Sequence, residues 1–427
     1  MVAVGGIALL ARLVGAAKDL VVADQLGTSD ALDAFLMASL IPLFVTNTIS
    51  ASFGEAFIPV FVRVRDREGQ AEVQRTLANA TALTIGVLIV ITLPLLAVAK
   101  PLLAALARGF PEGKVELTWH LALALLPMQI LGGVSAIWAN VLNATGRARR
   151  TAALPTIAPA LTVVALAVGG ASRATEALVI GLLAGAVVEA IILGISVRRL
   201  GFAILPRWTG MSPELRIFAG QCLPLAGASF LATGSSLIDQ SMASWLGSGA
   251  VSQLNYGNKV TLLVMGVANM ALSTVLYPHF ATLFAQRKHA ELIGVFRRYT
   301  ALLFGLGVVG AALAIAISHP VVELLFQRGS FTPADTDVVA RVQQLYLLQL
   351  PFHLAGLVGV RLVSALGKNR ILLVFTAITG VLNAVANYLF MQRWGVAGIA
   401  LSTSLVFLTS FLMVWFTTRL LLVRAVA

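Results

Sequence analysis

Apolar residues run along this chain in long blocks separated by short polar stretches. Twelve blocks lie near residues 2–22, 32–62, 77–98, 117–142, 152–170, 177–197, 217–243, 251–283, 299–319, 338–366, 371–388 and 396–420. A hydrocarbon layer roughly 30 Å thick needs about 20 apolar residues of helix to cross it. The pattern therefore predicts an all-α membrane protein with 12 transmembrane helices.

The blocks repeat. Laying Ser29 to Phe61 on Ser248 to Phe280 without a gap, an offset of 219 residues, puts Leu43, Val45, Pro59 and Phe61 on Leu262, Val264, Pro278 and Phe280. At the same offset Lys100-Pro101 meets His319-Pro320, and Arg-Gly follows each pair at Arg108-Gly109 and Arg328-Gly329. Two six-helix lobes are expected, residues 1–200 and 201–427, joined by the polar stretch from Leu200 to Arg216. With six spans each, the lobes would share one orientation and be related by a pseudo-two-fold axis along the membrane normal.

Composition agrees: 59% of residues are hydrophobic, 11% are charged, and mean hydropathy is +0.92. So apolar a chain belongs in a bilayer. Lys and Arg then set the direction, because positive loops stay cytoplasmic. Loops after even-numbered spans and the C-terminal tail hold 19 of them, whereas loops after odd-numbered spans hold six: Lys100, Arg108, Lys114, Arg173, Arg328 and Arg393. Both termini are expected in the cytoplasm. The net charge of +12 lies mostly in these short loops, where anionic lipid headgroups rather than nucleic acid account for it. Cys222 is the single cysteine, which excludes an internal disulfide. Arg12, Gly15 and Lys18 stand where a signal peptide would place its small-residue cleavage site, so residues 2–22 are expected to be a retained helix. Thr332-Pro333-Ala334-Asp335 reads as a helix cap. Trp119, Trp208 and Trp394, at span edges, read as interfacial anchors.

Charges inside spans are costly and usually face a protein interior or water. This chain places Arg12, Lys18 and Asp19 in span 1, Asp33 and Glu55 in span 2, and Lys259 in span 8, with Glu189, Asp239 and Arg361 elsewhere. At about 100° per residue, Asp33, Asn47, Thr48 and Glu55 form one stripe on span 2, and Asn255, Asn258, Lys259, Asn269 and Ser273 form another on span 8. These are the two spans matched by the repeat, so their stripes could wet a central cavity. Asp33, Glu55 and Lys18 also stand near span ends, within reach of headgroups. Arg361, six residues before Gly367, is expected to reach the cytoplasmic interface, and Glu189 has no evident partner. A cavity lined by Arg12, Lys18, Lys259 and asparagines suits a large anionic, hydroxyl-rich headgroup: cations hold phosphates and carboxamides bond hydroxyls.

Ala11-Arg12-Leu13-Val14-Gly15, Lys18-Asp19, Leu26-Gly27 and Asp33-Ala34-Phe35 resemble the opening of the MurJ/MviN-type lipid II flippase family, within the multidrug/oligosaccharidyl-lipid/polysaccharide exporter superfamily. Leu254-Asn255-Tyr256 with Lys259, Ala271-Leu272-Ser273-Thr274, Leu324-Leu325-Phe326, Ala365-Leu366-Gly367 and Gly395-Val396-Ala397-Gly398 carry the resemblance along the chain. It implies two lobes that move a polyprenyl-pyrophosphate-linked saccharide across the bacterial inner membrane by alternating access. It also implies substrate contacts at Arg12, Lys18, Asp33 and Lys259, alongside the stripe residues Asn47, Glu55, Asn255 and Asn258. Some members hold sodium between helices 7, 11 and 12, and the matching positions are Asp239, Asn383, Asn387 and Thr403. Thr46 and Asn47 stand where the family has arginines, and Asn258 and Asn387 where it has acidic residues.

The expected partners are a lipid-linked oligosaccharide and membrane lipids, with no nucleic acid, and the chain is expected to act as a monomer without enzymatic activity. An exporter of another lipid-linked glycan, such as an exopolysaccharide repeat unit, is the alternative. A drug-cation antiporter would be expected to have a more acidic cavity, and a membrane glycosyltransferase would need clustered carboxylates near one membrane face.

Overall fold

In a computed structural model, residues 2–202 and 204–426 are described, and their side chains likewise except at 2–5, 8, 9, 51, 55, 232, 270, 271, 273, 274 and 423–426. Glu55 and Ser273, both expected on the polar stripes, therefore lie outside the described side chains.

The described chain is helical, without strands. The helices are α1 (Val2–Leu26), α2 (Asp30–Arg67), α3 (Gln70–Leu106), α4 (Glu112–Leu125), α5 (Pro127–Ala144), α6 (Ala148–Ala153), α7 (Ile157–Gly169), α8 (Ala174–Arg198) and α9 (Pro213–Ala243). They continue as α10 (Ala250–Ala285), α11 (His289–Ala316), α12 (Ser318–Phe326), α13 (Pro333–Leu347), α14 (Leu350–Ala365), α15 (Asn369–Trp394) and α16 (Val396–Val426). Among the described residues, ten helical stretches are long and apolar enough to cross a membrane. The other two expected spans are α1 and α10, 25 and 36 residues long, which carry Arg12, Lys18, Asp19 and Lys259.

The fourth span of each repeat is broken at one motif. Helix α4 gives way to α5 at Leu126-Pro127, and α13 gives way to α14 next to Leu350-Pro351. Proline lacks the N–H that would continue the ladder, and its ring crowds the carbonyl four residues back. Helix α2 runs for 38 residues, roughly 57 Å at 1.5 Å per residue, so its Arg-rich end passes beyond the hydrocarbon. Thr332 caps α13 as expected: its hydroxyl accepts from the Asp335 backbone N–H, and Asp335 accepts in return from the Thr332 N–H.

The chain divides into two compact units, Met1–Thr233 with Arg328–Ser330 and Gly234–Gln327 with Phe331–Ala427; the division falls within α9. In the first, Phe53, Phe57 and Phe61 on one face of α2 meet Phe218 and Phe202 edge-on, with ring centroids 5.3 to 5.8 Å apart. Such contacts join large apolar burial to favourable ring geometry. Helices α7 and α8 approach closely because Gly185 has no side chain; a Cβ there would lie 2.4 Å from Ala158 Cα. In the second unit Gly307 of α11 does the same against Pro351, where a Cβ would lie 2.5 Å from Cα. Small residues at crossings are how helices pack when lipid supplies no hydrophobic drive between them. Val90, Leu93, Leu306 and Leu313 stay exposed, as side chains facing acyl chains would.

Candidate functional site

In the C-terminal unit, four polar residues from three helices meet inside an apolar setting. Asn383 and Asn387 sit four residues apart on α15 and so share a face. Gly395, at φ 57°, turns the chain sharply into α16, which brings Thr403 alongside them. Asp239, near the end of α9, completes the group. Asn387 Nδ2 donates to Asp239 Oδ1 at 2.7 Å, and Asn383 Oδ1 lies 3.4 Å from the same nitrogen. Thr403 Oγ1 lies 3.5 Å from Asp239 Oδ2 and 3.1 Å from the Ile399 carbonyl oxygen. The shorter contact claims the hydroxyl proton, leaving oxygen lone pairs toward the cluster.

All three of Asp239, Asn383 and Asn387 are buried, and Asn387 Oδ1 and Asn383 Nδ2 have no protein partner. Among the described residues Asp239 is met by carboxamides and a hydroxyl, and by no cation. One carboxylate, an orphaned carboxamide oxygen and a hydroxyl form an all-oxygen donor set that fits a hard monovalent cation. Tyr346 of α13, fully enclosed, lies beside Asp239 and Thr403; sequence reasoning did not find it.

The N-terminal unit treats its buried carboxylate differently. Ser29 caps α2, accepting from the Leu32 N–H at 3.4 Å, and Asp33 follows in the first turn. Asp33 is fully buried, and Lys114 Nζ, in the first turn of α4, lies 2.8 Å from Asp33 Oδ2. Lys114 also pairs with Asp30, and its ammonium lies 3.9 Å from the Phe110 ring centroid. Lys114 figured in the sequence only as a loop charge, because its partner is 81 residues away.

The remaining expected residues are dispersed over their helices. Lys18 and Asp19 pair with each other at 2.8 Å, half-buried, while Arg12 is exposed on α1. Asn47 is exposed on the α2 stripe, unlike Asp33 on the same stripe. On α10, Asn255, Asn258 and Lys259 are half-buried, and Asn258 Oδ1 has no protein partner. Arg361 Nη2 donates to Asn269 Oδ1 at 2.8 Å, adding a cation to the α10 stripe.

Long apolar helices carrying enclosed carboxylates and carboxamides define a multi-pass membrane protein, and solved structures agree on the fold. A structure titled "Lipid II flippase MurJ, inward closed conformation" superposes with a TM-score of 0.85 at 19% identity, covering 98% of this chain and 88% of that one. An inward-facing multidrug resistance MATE family transporter of the MOP superfamily gives 0.81 at 15% identity, covering 99% and 98%. The family model "Lipid II flippase MurJ" matches residues 22–423, and the chain belongs to that family. A "probable lipid II flippase MurJ" of Rhizobium meliloti is 28% identical over 359 residues, which is 82% of this chain but 66% of the relative. One of Helicobacter pylori is 28% identical over 427 residues, covering 90% of this chain and 86% of the relative.

Proposed function

We propose that this chain translocates a polyprenyl-pyrophosphate-linked saccharide, lipid II or a close analogue, across the bacterial inner membrane by alternating access. Membership of the flippase family over residues 22–423 is the observation that carries this reading. Arg12, Lys18 and Lys259 hold the pyrophosphate, with Arg361 as a further cation, since charge-assisted bonds to phosphate oxygens are strong and directional. Asn47, Asn255 and Asn258 bond sugar hydroxyls, and Glu55 is carried by its place on the α2 stripe alone. Asp33 acts through Lys114, holding the starts of α2 and α4 together. Both termini face the cytoplasm, the chain works as a monomer, and it catalyses no covalent step.

Sodium is the proposed coupling ion, with Asp239, Asn383, Asn387 and Thr403 as its ligands; bound there, it supplies the positive charge that Asp239 lacks. The protein's own contribution is to orient Asn387 through its bond to Asp239 and to enclose the cluster.

The neutral side chains at Thr46, Asn47 and Asn258 favour a second reading, a lipid-linked glycan carrying less charge than lipid II. Rescue of cells depleted of their lipid II flippase separates the two: growth supports lipid II, lysis supports the other glycan. In proteoliposomes Arg12→Ala or Lys259→Ala is expected to abolish translocation at unchanged expression, and unchanged flipping by both would remove the proposed phosphate contacts.

A further inference from the structure

The N-terminal unit holds a partly open pocket of about 310 Å³, lined by polar and apolar side chains, between α2, α5 and α8 that neither the substrate nor the sodium reading uses. Thr46 and Ser50 enter it from α2, Ser135 and Asn140 from α5, and Glu189 from α8. Two glycines shape it. A Cβ on Gly132 would lie 2.5 Å from Thr46 Cγ2, and one on Gly54 would lie 3.3 Å from the Asn140 carboxamide. Their bare backbones let both polar side chains turn inward.

Glu189 lies nine residues before the end of α8 at Arg198, roughly 14 Å along the axis. That is too deep for a glutamate to reach headgroups, and an ionised carboxylate there is expensive without a partner. Among the described residues, no ion pair or protein hydrogen bond reaches it.

The elements around α8 supply no counter-charge. Helices α5 and α7 contain no ionisable residue. Of α4, Lys114 is held by Asp30 and Asp33, Glu116 by Lys100 and His120, and neither they nor Glu112 line the pocket. On α1, Lys18 pairs with Asp19, and neither they nor Arg12 and Asp24 line it. Arg173 sits in the turn before α8, at the far end of the helix from Arg198. From α2 only Thr46 and Ser50 do so among the described side chains, which leave out Glu55.

Thr46 Oγ1 is buried without a protein partner, and a pocket this polar has room for several waters at roughly 30 Å³ each. A dehydrated metal ion needs several converging oxygens, whereas Glu189 is the one carboxylate among the described residues lining this pocket.

We propose that Glu189 is a proton-binding centre in the N-terminal unit. Hydronium in the pocket transfers its proton to a Glu189 Oε, an O–H bond forms there, water is left behind, and the side chain becomes neutral. The site is separate from the cluster around Asp239 and its occupancy needs no lipid-linked substrate.

Infrared difference spectra between acidic and alkaline buffer test this on the purified full chain in nanodiscs without substrate. The wild type should show a protonated-carboxyl band that Glu189→Gln removes, equal in sodium and potassium buffers. Glu189→Asp, a milder change if the glutamine variant fails to fold, should keep the band at a shifted frequency. Identical spectra for wild type and Glu189→Gln, an unshifted band in Glu189→Asp, or a band erased by sodium alone would each overturn the proposal. Because no saccharide is present, failure of the translocation reading leaves this measurement unaffected.

Discussion

Asp33 and Asp239 are both carboxylates taken out of water, one in each unit, yet the protein meets their charge in opposite ways. Asp33 is fully buried against a lysine ammonium at 2.8 Å, with a second carboxylate and an aromatic ring around the same cation. Among the described residues Asp239 meets only neutral dipoles, a carboxamide at 2.7 Å and a hydroxyl at 3.5 Å. A charge cancelled by a tethered side chain is a fixed clamp between two helices. One surrounded by dipoles alone still attracts a cation, and that cation can come and go. The same residue type is therefore structural in one unit and suited to reversible binding in the other.

The contrast breaks most readily at Lys114. Lys114→Met removes the ammonium 2.8 Å from the buried Asp33, and breaking a buried pair by removing one partner costs about 3–5 kcal/mol. Thermal or denaturant unfolding in detergent should show that loss, and Asp33→Asn added to the same chain should recover most of it. A Lys114→Met protein as stable as wild type would mean that the pair is no clamp.

Asp239→Asn should behave in the other manner, keeping the fold and losing an ion response. Wild type should gain about 2.7 kcal/mol in sodium at 100 times its dissociation constant, read as a higher melting temperature in sodium chloride than in choline chloride. The Asn variant should melt alike in both salts. A sodium shift that survives the substitution would place the ion elsewhere. The smallest effect is expected from Thr403→Val, which removes one oxygen at the edge of the cluster. It should weaken the sodium response by about 1 kcal/mol, and a full loss would promote Thr403 from peripheral to principal ligand.

Much of the architecture was legible along the chain. The twelve apolar blocks fall on helical chain, four of them divided between consecutive helices, and the Thr332 cap forms as its four-residue motif suggested. These features depend on neighbours in sequence. The Leu-Pro breaks at Pro127 and Pro351 could have been anticipated from proline's missing donor, but uniform apolarity over each block concealed them. The polar stripes were less legible. Helical angles put Asp33 and Asn47 on one face, yet packing against α4 encloses the first and leaves the second exposed. Arg361 was placed by its nearness to a span end, and its bond to an asparagine 92 residues away was not legible in the sequence.

Hydrophobic block length, loop charge and capping chemistry are one-dimensional properties, and the sequence by itself determined them: an all-helical chain of long apolar blocks suited to a membrane. Which carboxylate meets a lysine and which meets neutral side chains was decided only by tertiary structure. Lys114 reaches Asp33 across 81 positions and Asn387 reaches Asp239 across 148, and Glu189 acquires its pocket from two other helices. A charge's energy inside a membrane depends on what lies within a few ångströms, and helix packing, not order along the chain, sets that neighbourhood.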